Sequence, residues 1–172
     1  MVLTETLFAM ADEHGIEIVW YDLWPLCLGL YTANPTILSA PVIGLDNSLA
    51  TNERMLRCVL AHELGHHMTS AAPLTAAYSN PLLIIKSEAR ANQRALDLLL
   101  PSEQFIRALN PSQSFFDLAD EFHVLVEWVV AKFRQLVRRG HRELIEIHDK
   151  LWDNLILTLE PSLPRGWYHE ER

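Results

Sequence analysis

The segment LAHELGHH, residues 60–67, places two histidines four residues apart with a glutamate directly after the first. On an α-helix, His62 and His66 would lie ~40° apart around the axis, one turn above the other. Two imidazoles in this arrangement can both reach one zinc ion. Glu63 would be offset by ~60° from His66, so its carboxylate can reach a water on the ion without binding the ion itself. The pattern predicts a zinc site with Glu63 as general base; two hydrogen-bonded core histidines are the alternative.

A catalytic zinc site needs a third protein ligand, and Glu88 in the next predicted helix is the candidate. It falls within an apolar stripe, where a carboxylate without a partner is costly. Metal binding would explain this position, and an ion pair with Arg54 or Arg57 is the alternative. Asn92, one turn further on, is predicted to orient Glu88. The members of the stripe are Ile84, Ile85, Glu88, Ala91, Asn92, Ala95, Leu98 and Leu99.

These residue types together predict hydrolysis of a peptide bond. Glu63 would take a proton from water and pass it to the leaving amine. Tyr78, in the loop between the two helices, is the candidate hydrogen-bond donor to the oxyanion, with an ordinary surface tyrosine as the alternative. His67 would lie ~100° beyond His66 and is not expected to bind the metal.

The elements around the motif predict an α+β fold. A helix over 3–14 precedes three short strands at 16–23, 27–33 and 40–45, which predict a small antiparallel sheet. The helix with the two histidines ends near Met68, and a second one runs from Pro81 to Leu100. Further helices are predicted at 114–122, 124–139 and 141–158, with 101–113 as a non-helical connection and 161–172 as a loosely held tail. We therefore predict a peptidase core over 1–112 and a helical C-terminal region over 113–172 that packs on it.

Composition limits the classes of partner. The chain has 172 residues, enough for one domain, and a formal net charge of -8, which does not favour phosphate-rich nucleic acid. Its two isolated cysteines predict reduced thiols rather than a disulfide framework. The N-terminal residues lack the features of a secretory signal, and no run approaches the ~20 apolar residues of a membrane span. A cytoplasmic location is expected, with no membrane partner.

Two runs of sequence, IGLDNSLATNERMLRCVLAHELGHH and EARANQRALDLLLP, resemble the ImmA/IrrE family of zinc metallopeptidases. The likeness covers roughly 29–137. It assigns His62, Glu63 and His66 to the family motif and Glu88 to the third ligand, and it extends to Ala91, Asn92, Ala95 and Pro101. Arg94 and Leu100 depart from it, since phenylalanine and methionine are usual there.

The resemblance implies a zincin-like core and a cytoplasmic zinc endopeptidase. Its substrate would be a helix-turn-helix transcriptional repressor of a mobile element, a phage or a stress regulon, and cleavage would relieve repression. One alternative is a non-cleaving zinc-fold module, an antirepressor that sequesters its regulator.

A second alternative is DNA binding through segment 115–136, which itself resembles a helix-turn-helix. A nearby basic cluster supports that alternative, but acidic residues are interleaved with it, so direct nucleic-acid binding is not expected. For this segment and its basic cluster, we prefer a role as a docking surface for the substrate protein, or simple packing onto the core, to DNA binding. The members of the cluster are Lys132, Arg134, Arg138, Arg139 and Arg142.

Overall fold

The computed structural model describes residues 3–34, 37–69, 81–110, 112–141 and 144, which form an α+β fold as predicted. A short 3-10 helix, Asn47–Thr51, leads into the helix that carries the two histidines. The strands are β1 (Glu17–Tyr21), β2 (Gly29–Thr32) and β3 (Val42–Asp46). The helices are α1 (Thr4–Glu13), α2 (Glu53–Thr69), α3 (Pro81–Leu99), α4 (Ser102–Ala108), α5 (Phe115–Phe122) and α6 (Val126–Arg138).

The sheet is mixed, with strand order β1-β3-β2. β2 is antiparallel to β3, whereas β1 is parallel to β3 with Glu17 opposite Val42. The prediction of an antiparallel sheet is therefore wrong for β1. β3 has four consecutive buried residues and takes the central position, so the chain must cross from one edge to the other between β1 and β2. β1 and β2, although consecutive in the sequence, are consequently not neighbours in the sheet.

Helix α2 is the centre of the described fold. All eleven residues from Leu56 to His66 are buried, so the helix is covered on every side rather than along one stripe. Arg57 is buried with it and donates to the carbonyl oxygen of Phe122 over 3.4 Å. Arg54 pairs with Asp120 at 2.8 Å. The alternative ion pair of either arginine with Glu88 is thus not formed.

The described C-terminal helices pack on the same hydrophobic core as the sheet and α2. Helix α4 lies inside the segment predicted as non-helical; it is only seven residues long and begins directly after Pro101, so its periodic signal is weak. The split of the chain at residue 112 remains a prediction. The predicted helix at 141–158 (apart from His141 and Leu144) and the tail at 161–172 lie outside the described residues.

An ion-pair network joins α3 to the end of α6. Lys132 is fully buried, and its Nζ lies 2.7 Å from Asp97 Oδ1. Arg139 Nη2 lies 3.1 Å from the other carboxylate oxygen of Asp97. Two members of the predicted basic cluster are therefore used inside the fold, and Arg142 lies outside the described residues. Across the described ranges, no helix is long and apolar enough to span a bilayer.

Candidate metal centre

The site lies where α2 and α3 cross at very short range. A Cβ atom added to Gly65 would lie 2.4 Å from the carbonyl oxygen of Ala91, so only glycine allows this approach. Ala91 and Ala95 are fully buried small residues on the facing side of α3. The small residues thus let the two backbones come close enough for polar side chains from both helices to meet.

Three side chains on these helices converge on one point. His62 Nε2 and His66 Nε2 lie 3.1 Å apart. The carboxylate of Glu88 lies 3.2 Å from His62 Nε2 through one oxygen and 3.3 Å from His66 Nε2 through the other. The two imidazole nitrogens and the carboxylate face one another and could share a cation. Of the residues described, these three are the one group with metal-ligand geometry.

The spacing of these atoms fits a tetrahedral ion. Zinc binds histidine nitrogen and carboxylate oxygen at ~2.0–2.2 Å, which puts neighbouring ligand atoms of a tetrahedron ~3.3–3.5 Å apart. The distances of 3.1, 3.2 and 3.3 Å are close to that value. The group could supply three ligands, which is the number expected when a fourth position is left for water or substrate.

Asn92 orients one of the histidines. Its Oδ1 lies 2.9 Å from His62 Nδ1, so the ring donates from Nδ1 and presents its other nitrogen, Nε2, to Glu88. The predicted partner of Asn92 was Glu88 instead. Helical side chains lean toward the N-terminus of the helix, so Glu88 extends away from Asn92, and the short amide faces α2. The Nδ1 atom of His66 is buried and has no hydrogen-bond partner among the described residues.

Glu63 lies beside the three ligand candidates and beneath β2. Burial raises the pKa of its carboxyl to about 7, and the charge of Glu88 adds to the rise. His62 and the backbone N–H of Tyr31, which donates to the carboxylate, act in the opposite direction. Burial also raises the pKa of Glu88, but its hydrogen bonds with His62 and His66 outweigh that effect and hold the pKa well below its usual range. One carboxylate is thus held ionised, while the other can gain or lose a proton near neutral pH.

Strand β2 approaches Glu63 through Gly29. A Cβ atom at this position would lie 2.6 Å from Glu63 Oε1 and 2.5 Å from Val59 Cγ1. Tyr31, two residues on, is anchored to the same helix because its hydroxyl lies 3.0 Å from His67 Nδ1. His67 therefore belongs to a separate aromatic contact with Tyr31 and His14, as its predicted direction requires.

Among the three ligand candidates, Glu88 is the one most exposed to solvent. The side chains of His62 and His66 are 9% and 7% exposed, whereas that of Glu88 is 46% exposed. Glu88 is therefore the member of the group that meets solvent, whereas the two histidines are largely shielded from it. The fold thus places the buried Glu63 beside two buried histidines and the ionised, partly exposed Glu88.

A comparison with known families agrees with this geometry. Residues 11–134 match the family model for peptidase M78, described as the IrrE N-terminal-like domain. The chain belongs to the peptidase M78 family. This confirms the resemblance predicted from the motif. No curated protein and no solved structure matches the chain significantly.

The structure locates most of the site residues predicted for this M78 family member. His62, Glu63, His66, Glu88 and Asn92 lie together, while Tyr78 lies outside the described residues. The departure at position 94 is accommodated at the surface, where Arg94 Nε lies 3.2 Å from Met68 Sδ at the end of α2.

Sequence reasoning missed the roles of the two close-contact glycines, Gly29 and Gly65. A glycine inside a helix costs ~1 kcal/mol relative to alanine, so Gly65 within the motif was a signal of close packing. Gly29 gives a weaker signal, since a glycine in a strand can mark either a bulge or a close approach.

Proposed function

We propose that this protein is a zinc-dependent endopeptidase that cleaves a helix-turn-helix transcriptional repressor in the cytoplasm and so relieves repression. The observation that carries the proposal is the convergence of His62, His66 and Glu88 beside the buried Glu63, in a chain of a peptidase family. That arrangement has the parts of a hydrolytic metal site, namely three ligand candidates, a candidate base beside them, and a carboxylate that meets solvent.

In the proposed reaction, His62, His66 and Glu88 hold the metal, and Asn92 keeps the ring of His62 in the binding orientation. When bound, zinc would act as a Lewis acid that polarises the scissile carbonyl group and lowers the pKa of water. Glu63 receives the proton of the attacking water at its carboxylate and returns it to the nitrogen of the leaving amine. Glu63 is buried and β2 packs against it, so bulk water is excluded from the proton that it carries.

The choice of a repressor as substrate comes from the ImmA/IrrE resemblance. An acidic chain is compatible with a protein substrate, since a net charge of -8 disfavours nucleic acid more than it disfavours polypeptide. The ion pairs of Lys132 and Arg139 with Asp97 further weaken the DNA-binding alternative, because they remove two cations from the cluster that would contact phosphate.

The test separates cleavage from sequestration. Purified wild type, Glu63→Gln and Glu88→Ala are compared for zinc per chain, and each is incubated with purified helix-turn-helix repressors from the genome that encodes this protein. We expect about one zinc in wild type and Glu63→Gln, a sharp loss in Glu88→Ala, and repressor fragments with wild type alone.

Two outcomes would replace the proposal. Full relief of repression by Glu63→Gln without fragments would favour the non-cleaving antirepressor. A tight, steeply salt-dependent gel shift of operator DNA by the protein alone would favour the DNA-binding alternative.

A further inference from the structure

The helix turn that precedes Glu88 is apolar and exposed. Residues 81–85 read PLLII and carry no charge. The sequence predicted Ile84 and Ile85 as part of a core-facing stripe, yet they are 37% and 36% exposed. Several adjacent aliphatic side chains left in water are costly unless something covers them during function.

Two of these side chains lie next to Glu88 on the same face of α3. Ile84 and Ile85 precede Glu88 by four and three residues, so they lie ~40° and ~60° from it around the helix, with Cβ atoms ~5–6 Å away. Glu88 is the exposed member of the candidate ligand group, at 46% against 9% and 7% for the two histidines. A polypeptide that approaches the metal centre on the side of Glu88 would therefore place a side chain next to its scissile bond near these two isoleucines.

We propose that Ile84 and Ile85 form a subsite that selects an aliphatic or aromatic side chain next to the scissile bond. This inference rests on the proposed function and specifies its substrate class. The bound side chain would cover apolar surface that is otherwise in water, and this burial favours large apolar side chains over glycine. The occupant is part of the substrate polypeptide, because the apolar turn adjoins Glu88, the ligand candidate that meets solvent.

The probes are glycine hydroxamate and leucine hydroxamate, which share a metal-chelating group and differ by one isobutyl side chain. Each is titrated calorimetrically into the zinc-loaded protein, so the readout is affinity and does not require turnover. We expect leucine hydroxamate to bind at least about tenfold more tightly in wild type. The double variant Ile84→Ser/Ile85→Ser should reduce this ratio to about one to two and leave the affinity for glycine hydroxamate unchanged.

Leu83→Ser is the matched control. Leu83 is on the same turn and is 47% exposed, but it lies ~140° from Glu88 around the helix. The control should keep the wild-type ratio. A ratio near one in wild type, a ratio that the double variant does not change, or an equal loss in Leu83→Ser would overturn the inference.

Folding and zinc content complete the test. A double variant that unfolds, or melts far below Leu83→Ser, would show that the isoleucines are core residues and would also overturn the inference. If wild type binds no zinc, the proposed function itself fails. Zinc binding without side-chain selectivity would contradict only the subsite.

Discussion

Asn92 on α3 holds the imidazole of His62 on α2, with 2.9 Å between Asn92 Oδ1 and His62 Nδ1. This hydrogen bond crosses the helix pair at the point where the ligand group forms. It makes the orientation of one ligand depend on the packing of both helices.

Replacing Asn92 by alanine should therefore weaken metal binding without removing a ligand. Loss of such an outer partner typically costs about 10–100-fold in metal affinity. The measurement is competition for zinc against a chromophoric chelator. Gln93→Ala, an exposed neighbour on the same helix, is the control and should bind zinc like wild type. Equal affinities in Asn92→Ala and Gln93→Ala would show that the hydrogen bond has no part in holding the metal.

The close approach of β2 to Glu63 gives a second prediction, made with a pair of glycines. Gly29→Ala would place a methyl group 2.6 Å from Glu63 Oε1, so the carboxylate must move. Gly44→Ala, on the adjacent strand, meets nothing closer than 3.8 Å. We expect Gly29→Ala to lose at least about tenfold in kcat while keeping zinc, because a small displacement of a base is costly. Gly44→Ala should stay near wild type; similar losses in both variants would indicate general damage to the sheet.

The raised pKa of Glu63 predicts a pH dependence of stability in the metal-free protein. Burial raises this pKa from 4.5 to about 7, so the folded state binds the proton more tightly than the unfolded chain does. Stability is then lost as the pH rises from about 4.5 to about 7. Glu63→Gln cannot ionise and should become more stable than wild type by up to about 3 kcal/mol at pH 8.

Urea denaturation of both proteins in a chelator at pH 5 and pH 8 measures this difference. Titrating groups that do not interact with Glu63 are common to the two chains and cancel in the comparison. A difference in free energy of unfolding that stays constant with pH would contradict a raised pKa of Glu63. Added zinc should reduce the pH dependence, because a nearby cation favours the ionised carboxylate.

Because the ammonium group of Lys132 is buried, we expect replacement of its partner Asp97 to reduce the stability of the fold strongly. Its Nζ lies 2.7 Å from Asp97 Oδ1, and its side chain is fully buried. Asp97→Ala would leave this charge unpaired and should destabilise the fold by about 3 kcal/mol in urea denaturation. The double variant Asp97→Ala/Lys132→Met removes the charge and should recover much of the loss. Simple additivity of the two substitutions would mean that the pair is not coupled.

Much of the candidate site follows from local sequence. His62, Glu63 and His66 adopt their relative directions because a helix of 3.6 residues per turn puts neighbours four apart on one side. Glu88 was recognisable as a carboxylate within an apolar stripe, which is energetically anomalous without a partner. The helices over residues 53–69 and 81–99 follow from periodicity and from the prolines at 81 and 101.

Only the tertiary structure decided which residues meet across elements. The sequence contains Asn92, Gly29 and Gly65, but their roles depend on how closely α2 approaches α3 and β2, and that distance is set by packing of many side chains. The parallel pairing of β1 with β3 likewise depends on which strand the core covers on both faces. Periodicity is a local property of the chain, whereas contacts between distant segments are selected by the fit of the whole core. The ligand candidates could therefore be identified from the sequence, but the residues that support them could not.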